Sequence, residues 1–481
     1  MRDTVTASQY HGGNKLLLGI VLAVITFWLF AQTTLNVAPA MRHDLRISES
    51  VSNIAVSITA LFSGIFIVVA GGLADQFGRM RLTYIGLVFS IAGSLLIAIS
   101  PAGTAAFLMT GRVIQGISAA CIMPATLALV KAYFDGKDRQ RAISFWSIGS
   151  WGGSGLSALF GGFVASTLGW RWIFWISIAV AVASLLLLLG TPESKAESTG
   201  QKSFDWWGLI AFIVTMVALN IVIGQGAALG WLSPTVVILI AVFLVSITVF
   251  FKIEIGNANG FVDLRLFQNR TFSGATLSNC LLNGAAGTLL VVLTLVQETG
   301  LSSLQSGLLT VGYLVGVLVT IRIGEKLLQI MGYRKPMLLG CWVTGAGIFL
   351  TAFTFLLLSE YLVVAFVGFT LFGIGLGLYA TPSTDAAVAN VPQEKAGSAS
   401  GIYKMASSLG AAFGVAISAA IFAGFSRAQN LVPFAQLAMG RTNNLHVRFA
   451  ASMALMFNVL MVAIAIISIL MTVPKRDHQL G

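Results

Sequence analysis

The sequence predicts an all-α polytopic membrane protein, and three observations carry that reading. Of 481 residues, 57% are hydrophobic and only 9% are charged, whereas a soluble domain keeps about a quarter of its residues charged. The mean hydropathy is +0.90. The apolar residues also gather in runs long enough to cross a bilayer as helices, for which about 20 residues suffice. In lipid every backbone donor and acceptor must be bonded internally, which favours helices. A soluble enzyme, a disulfide scaffold and a disordered chain are excluded.

Fourteen apolar segments follow one another, each bounded by charges or turn residues. The first, 16–40, starts after Lys15 and stops before Arg42; it is too long for a signal-peptide core of about 7–15 residues. Segment 51–74 runs up to Asp75, and 82–100 runs from Arg81 to Pro101. Segment 104–131 begins at a glycine turn and ends on Lys131, with Arg112 inside it. Segments 142–167 and 172–189 follow Arg141 and Arg171. After the polar stretch 190–205 come 206–226 and 234–252, the latter opened by Pro234, a favoured first helical residue. Segments 271–297, 304–324 and 336–358 are set off by Arg270, Glu298, Glu325 and Lys335. The last three are 361–389, 397–424 and 449–473.

An even number of crossings puts both termini on one side. With that side cytoplasmic, all but seven of the 28 Lys and Arg face inward, as the positive-inside rule requires. The same rule accounts for the formal net charge of +11, so no nucleic-acid partner is inferred. Cys121, Cys280 and Cys341 all lie in apolar stretches without metal-ligand spacing and read as small buried side chains. His11, His43, His446 and His478 fall outside the segments, so no nucleophile–base pair of an intramembrane enzyme is present.

The chain also repeats itself. Pro124-Ala-Thr-Leu-Ala-Leu-Val130 matches Pro382-Ser-Thr-Asp-Ala-Ala-Val388, and Gly149, Gly153 and Ser157 match Gly410, Gly414 and Ser418. Gly78 and Gly86 match Gly332 and Gly340 in consistent register. Removing 206–252 leaves two six-helix halves. The expected organisation is an N-terminal half 1–189, a cytoplasmic linker 190–205, two inserted helices 206–252 and a second linker 253–270. A C-terminal half 271–473 with an outer loop 426–448 follows, then a cytoplasmic tail 474–481. Duplicated helical halves of this kind mark secondary transporters.

Between the second and third segments stands Gly71-Gly72-Leu-Ala-Asp75-Gln-Phe-Gly78-Arg79-Met-Arg81. The chain must reverse there within a few residues, which Gly78 permits. Asp75 and the two arginines can form charge-assisted bonds. This G-x-x-x-D-x-x-G-R-x-R spacing resembles the signature loop of the major facilitator superfamily. Gly111-Arg112-Val-Ile-Gln115-Gly116 is similar to that family's R-x-x-Q-G element. Gly149, Gly152, Gly153, Gly161 and Gly162 stand where its antiporters carry a glycine-rich motif, although Ser157-Ala158 replaces the Gly-Pro of many members. Relatives with fourteen helices often place an aspartate where this chain has Ala31. Small residues also let helices approach closely in lipid, so packing and gating are both open for the glycines.

One branch matches more tightly. Gly19 to Gln32, Ser144 to Gly155, Arg322 to Gln329, Tyr379 to Asp385 and Gly401-Ile-Tyr-Lys404-Met-Ala-Ser-Ser resemble the Nor-type multidrug pumps. The resemblance implies a major facilitator fold of fourteen transmembrane helices working by alternating access in a bacterial inner membrane. It implies export of quinolones, dyes and quaternary ammonium compounds in exchange for protons by a monomer, with no cofactor or metal. The alternative on the same fold is an exporter or facilitator of one endogenous metabolite or lipid.

Arg112 lies eight residues into its segment, roughly 12 Å deep at 1.5 Å per residue, near the middle of the core. A buried arginine needs partners, and Gln32, Asn36 and Gln115 are the expected acceptors. An alternative places a drug's carboxylate on Arg112. Trp28, Trp146 and Trp151 are candidate aromatic walls of the substrate cavity, able to stack on planar amphipaths or hold cations. Trp170, Trp172, Trp206, Trp207 and Trp231 read as interfacial anchors. Asp385, Glu325 and Glu298 are the candidate proton-coupling carboxylates, Asp385 first because Pro382 precedes it and Leu127 stands at the matching place of the repeat.

Overall fold

In a computed structural model of the chain, residues 10–195, 205–256, 264–301, 303–427 and 444–475 are described. Much of the expected linkers, outer loop and tail (196–204, 257–263, 428–443 and 476–481) lies outside them. Every regular element among the described residues is a helix. The order begins α1 (Asn14–Ile25), a π-helical turn Thr26–Ala31, α2 (Gln32–Leu45), α3 (Glu49–Phe77), α4 (Arg79–Ala98) and α5 (Ala106–Tyr133). It continues with α6 (Gly136–Ser147), a second π turn Ile148–Gly152, α7 (Gly153–Thr167), α8 (Arg171–Leu188), α9 (Trp206–Leu229) and α10 (Pro234–Gly256). Then come α11 (Arg270–Gly284), α12 (Gly287–Glu298), α13 (Ser303–Leu308), α14 (Val311–Met331), α15 (Arg334–Thr351), α16 (Leu358–Ala389), α17 (Ala396–Arg427) and α18 (Leu445–Thr472).

Local chemistry sets the ends. Ser48 caps α3 by accepting from the Val51 amide at 3.3 Å, and Asp205 caps α9 by accepting from Gly208 at 2.8 Å. Gly78, at φ 119°, turns the chain from α3 into α4. Each of the fourteen apolar segments contains helix, and among the described residues twelve helices are long and apolar enough to cross a membrane. Segments 142–167 and 336–358 fall outside those twelve. The former is split by a π turn, and α15 is an 18-residue helix opening on Arg334-Lys335-Pro336.

Among the described residues four segments expected as single helices are interrupted: 16–40 and 142–167 by π turns, 271–297 at Ala285–Ala286 and 304–324 at Leu309–Thr310. Hydropathy does not register such breaks, because one inserted backbone residue leaves the apolar content unchanged.

The contacts divide the chain into two compact units, Met1–Asn269 with Ala387–Met405, and Arg270–Ala386 with Ala406–Gly481. In the first unit α4 lies on α5 through glycines: a Cβ on Gly93 would come within 2.8 Å of the Gly111 carbonyl. The second π turn and α7 lie on the first helix. Gly149 abuts Val21, Gly153 abuts Trp28 and Leu29, and the Thr33 hydroxyl donates to the Ser157 carbonyl at 3.0 Å. Phe30, Met41, Leu45, Ile97, Leu108 and Phe174 form an apolar cluster in this unit. Helices α9 and α10 pack on each other around Phe212 and Phe250, with Thr215 donating to Ser246 at 2.9 Å. The outer side of α10 exposes Val237, Ile238, Leu244, Val245 and Ile255, a surface suited to lipid.

The second unit repeats these contacts. A Cβ on Gly347 would lie 2.5 Å from the Gly368 carbonyl, holding α15 on α16. Gly410 abuts the Cys280 carbonyl and Gly414 the Gly284 backbone, so α17 closes on the break between α11 and α12. In each unit, therefore, the matching glycine pair presses its helix against an interrupted one. Without a hydrophobic force between helices in lipid, such close backbone approach supplies the packing.

Candidate functional site

Three groups of buried polar side chains stand out, and the first surrounds Asp75. Its Oδ1 accepts from Arg79 Nη2 at 2.9 Å and from the Gly397 amide at 2.8 Å. Its Oδ2 accepts from the Ser398 amide at 2.8 Å and the Ser398 hydroxyl at 3.1 Å. Gly397 and Ser398 belong to the first turn of α17, where free amides and the helix dipole favour an anion. Gly71 and Gly401 make this possible, since a Cβ on either would run into the backbone of Gly397 or Ile67. Gly72 is less constrained, with only the Ser398 hydroxyl near at 3.9 Å.

Arg79 is fully buried and also donates to Ser194 Oγ at 3.1 Å and to the Gln393 carbonyl. Only Arg79 meets Asp75. The expectation of two arginines on that carboxylate is corrected: Arg81 is exposed, 3.9 Å from Glu193. Glu193, unremarked in the sequence, accepts from the Met80 and Arg81 amides at 2.9 and 3.0 Å. Its carboxylate fills the place where a Gly78 side chain would be, so Gly78 is required twice, for its φ and for this space. On the far side of the 389–396 connection, Lys131 Nζ donates to the Val388 carbonyl at 2.6 Å and to that of Val391. A cation thus sits on the C-terminal end of α16 and an anion on the N-terminal end of α17, both with the favourable sign.

The second group is Arg112. Its Nη1 donates to the Ala31 carbonyl at 2.9 Å and to Gln115 Oε1 at 2.8 Å. Nε donates to the Ala55 carbonyl at 2.8 Å and Nη2 to that of Val56 at 3.3 Å. Gln115 passes the network on to Ser94 Oγ at 3.2 Å. Of the three expected acceptors, Gln115 is present. Gln32 makes no hydrogen bond to Arg112, and the side chain of Asn36 lies outside the described residues. Backbone carbonyls take their place, one of them on Ala31 at the end of the first π turn. Sequence reasoning missed them because carbonyls carry no residue signature. Arg112 ties the first helix, α3 and α5 together.

The third group centres on Trp146, which is fully buried. Its Nε1 donates to Thr126 Oγ1 at 3.0 Å, and Lys404 Nζ stands 4.3 Å over its ring. Half-buried Trp28 lies edge-on to Phe27 and points Nε1 at Met123 Sδ, 3.3 Å away. Trp151 is half-buried beside buried Gly152 in the second π turn, Gly161 packs on Thr33, and Gly162 is exposed with open space where a Cβ would stand.

Among the coupling candidates, Asp385 is fully buried near the end of α16. Glu325 is buried but ion-paired with Arg322 and bonded by Gln329 at 3.3 Å. Glu298 is exposed at the end of α12. In the second unit Tyr379 joins Ser278 and Ser383 through its hydroxyl at 2.6 and 2.8 Å. Trp170 is corrected from interfacial anchor to buried residue: it donates to Asp44 at 3.0 Å beneath Arg171, whereas Trp172, Trp206, Trp207 and Trp231 are exposed. Arg171 pairs with Asp44, and this hydrogen bond holds the Asp44 carboxyl below its usual range.

Long apolar helices packed through glycine, with buried ions bonded to the backbone at a helix junction, describe a multi-pass membrane protein. The profile of the Major Facilitator Superfamily matches residues 16–261 and 272–480, and the chain belongs to that superfamily. It is 50% identical over 473 residues to the quinolone resistance protein NorB of Staphylococcus aureus strain COL, covering 98% of each chain. The same protein of strain Newman matches equally. Among solved structures, the proton:xylose symporter XylE superposes with a TM-score of 0.66 at 16% identity, covering 96% of each chain. The human organic anion transporter MFSD10 gives 0.59 at 14% identity, covering 93% of this chain and 98% of that one. These two likenesses bear on the fold alone.

Proposed function

We propose that this protein exports quinolones, dyes and quaternary ammonium compounds across a bacterial inner membrane by alternating access, in exchange for protons. The observation that carries the reading is the 50% identity, over 98% of both chains, with a quinolone resistance protein. In this reading the chain crosses the membrane fourteen times as a monomer with both termini cytoplasmic. Two six-helix halves, 1–189 and 271–473, flank the inserted pair 206–252. Asp75, held by the first turn of α17, keeps one conformation closed and must let go for the other. Asp385 carries the proton, a role supported by its complete burial beside Pro382 in a helix whose repeat partner has Leu127 at that place. Trp28, Gln32 and Trp151 contribute the aromatic and polar surface that an amphipathic drug meets.

Everted membrane vesicles containing the protein test this directly. Norfloxacin and ethidium should accumulate when an inward-acid pH gradient is imposed and stop when it is collapsed. Transport of neither drug would refute the reading, and gradient-independent movement of a single metabolite would favour a facilitator.

A further inference from the structure

Five cations are buried among the described residues: Arg79, Arg112, Lys131, Lys404 and Arg448. Arg79 has Asp75, Arg112 has three carbonyls and Gln115, Lys131 has two carbonyls, and Arg448 has the carbonyls of Thr354 and Leu356 at 2.7 Å. Lys404 differs. It is 4% exposed, and its ammonium meets only ring faces, Trp146 at 4.3 Å and Tyr403 at 5.9 Å. Among the described residues it has no carboxylate partner and no hydrogen-bond acceptor. A π face attracts the charge but accepts none of its three N–H donors in the manner of an oxygen. An ammonium taken out of water in this state is short of an anion.

The surroundings specify what kind of anion. Trp146 is held at its indole nitrogen by its bond to Thr126, whose hydroxyl is itself bonded to the Ile122 carbonyl at 2.7 Å. Met123 and Thr126 are three residues apart on α5 and share a face. Trp28, bonded to Met123, and Trp146, bonded to Thr126, therefore attach to α5 within one helical turn of each other. Neighbouring attachment points of this kind suit a carboxylate attached directly to a planar aromatic system. The charge would sit on Lys404 and the ring against half-buried Trp28.

We propose that Lys404, backed by Trp146, is the carboxylate-binding subsite for aryl carboxylic acid substrates, and that Trp28 receives the ring. The proposal rests on the drug-export reading and assigns to Lys404 the charge recognition for which Arg112, bonded to four acceptors, is already engaged. Its test is equilibrium binding to the purified full-length protein. The ligands are norfloxacin, norfloxacin methyl ester and ethidium, measured on the wild type, Lys404→Gln and Lys404→Arg. The wild type should prefer the acid over the ester by about ten- to a hundredfold, the range for a hydrogen bond to a charged group. Lys404→Gln should erase that preference while ester and ethidium change less than threefold; Lys404→Arg should keep most of it. Survival of the preference in Lys404→Gln would overturn the proposal, as would equal loss of all three ligands in both variants. If the wild type binds neither drug, the export reading fails on its own. The subsite is then decided by 1-naphthoate against 1-naphthamide: a preference for the acid that vanishes in Lys404→Gln upholds it, and no preference removes it.

Discussion

Replacing Asp75 by Asn exchanges one carboxylate oxygen for an amide nitrogen and should stop transport. The two side chains have the same shape, so the substitution tests charge and acceptor count rather than volume. One amide oxygen can still accept from the Gly397 amide and Arg79. The amide nitrogen then faces the Ser398 amide at the position where Oδ2 now stands 2.8 Å away, donor against donor. A hydrogen bond to a charged group is worth about 1.5–3 kcal/mol. Removing one partner of a buried ion pair costs about 3–5 kcal/mol, because the other charge is stranded; Arg79 would be that charge. Allowing for Arg79's remaining bonds to Ser194 and Gln393, a net loss of about 3–4 kcal/mol is expected. At about 1.4 kcal/mol per tenfold, the conformer that makes this contact becomes several hundredfold rarer. Ethidium efflux from everted vesicles reads the consequence, and hydrogen exchange at the Gly397 and Ser398 amides reads the cause. Normal efflux by a well-expressed Asp75→Asn protein, with those amides still protected, would refute the reasoning.

Three other outcomes are expected. Arg112→Lys gives up a planar fork that serves four acceptors on three elements. It should lower thermal stability by about 2–4 kcal/mol and impair zwitterionic and cationic drugs equally; a loss confined to quinolones would return Arg112 to the drug site. Asp385→Asn should abolish uptake driven by a pH gradient in vesicles while drug–drug exchange continues, and gradient-driven transport that survives would pass the role to Glu325 or Glu298. The Arg171 bond lowers the carboxyl range of Asp44, so its stabilising effect is fully present above the unfolded carboxylate range and is lost as pH falls through the folded one. Because the pair is half-exposed, Asp44→Asn should cost less than about 1 kcal/mol near neutrality, and the difference from wild type should vanish in acid melts.

The helical class, the position of nearly every segment and the duplicated glycines were legible in the sequence because each follows from the solvent. Apolar runs and small residues at helix contacts are what a bilayer imposes. Asp75 and Gly78 were legible for the same reason, since a charge and a forced turn at a span end stand out against apolar neighbours. What escaped was chemistry without a residue code. Arg112 is buried as expected, but its acceptors were sought among Gln32, Asn36 and Gln115, whereas most are main-chain carbonyls. The π turns at Thr26–Ala31 and Ile148–Gly152 left no trace in hydropathy, though they contain Trp28 and Trp151 and the second closely follows Trp146. Glu193 and Lys131 looked like ordinary polar ends of spans. Only the folded chain brings the first to Gly78 and the second to the end of α16.

The opposite charges on the 389–396 connection have a mechanical corollary. Lys131 and Asp75 grip the two ends of one short link, so the link behaves as a two-pin plug rather than as a hinge with separate catches. Withdrawing one pin strands a buried ion and unmasks a helix end. On the alternating-access reading proposed above, the half-withdrawn arrangement would then be the least favourable of the three, and the motion would take on the character of a snap. In energetic language the two side chains are thermodynamically coupled across a segment to which neither is covalently close. A double-mutant cycle on Asp75 and Lys131 would register that coupling as strongly non-additive.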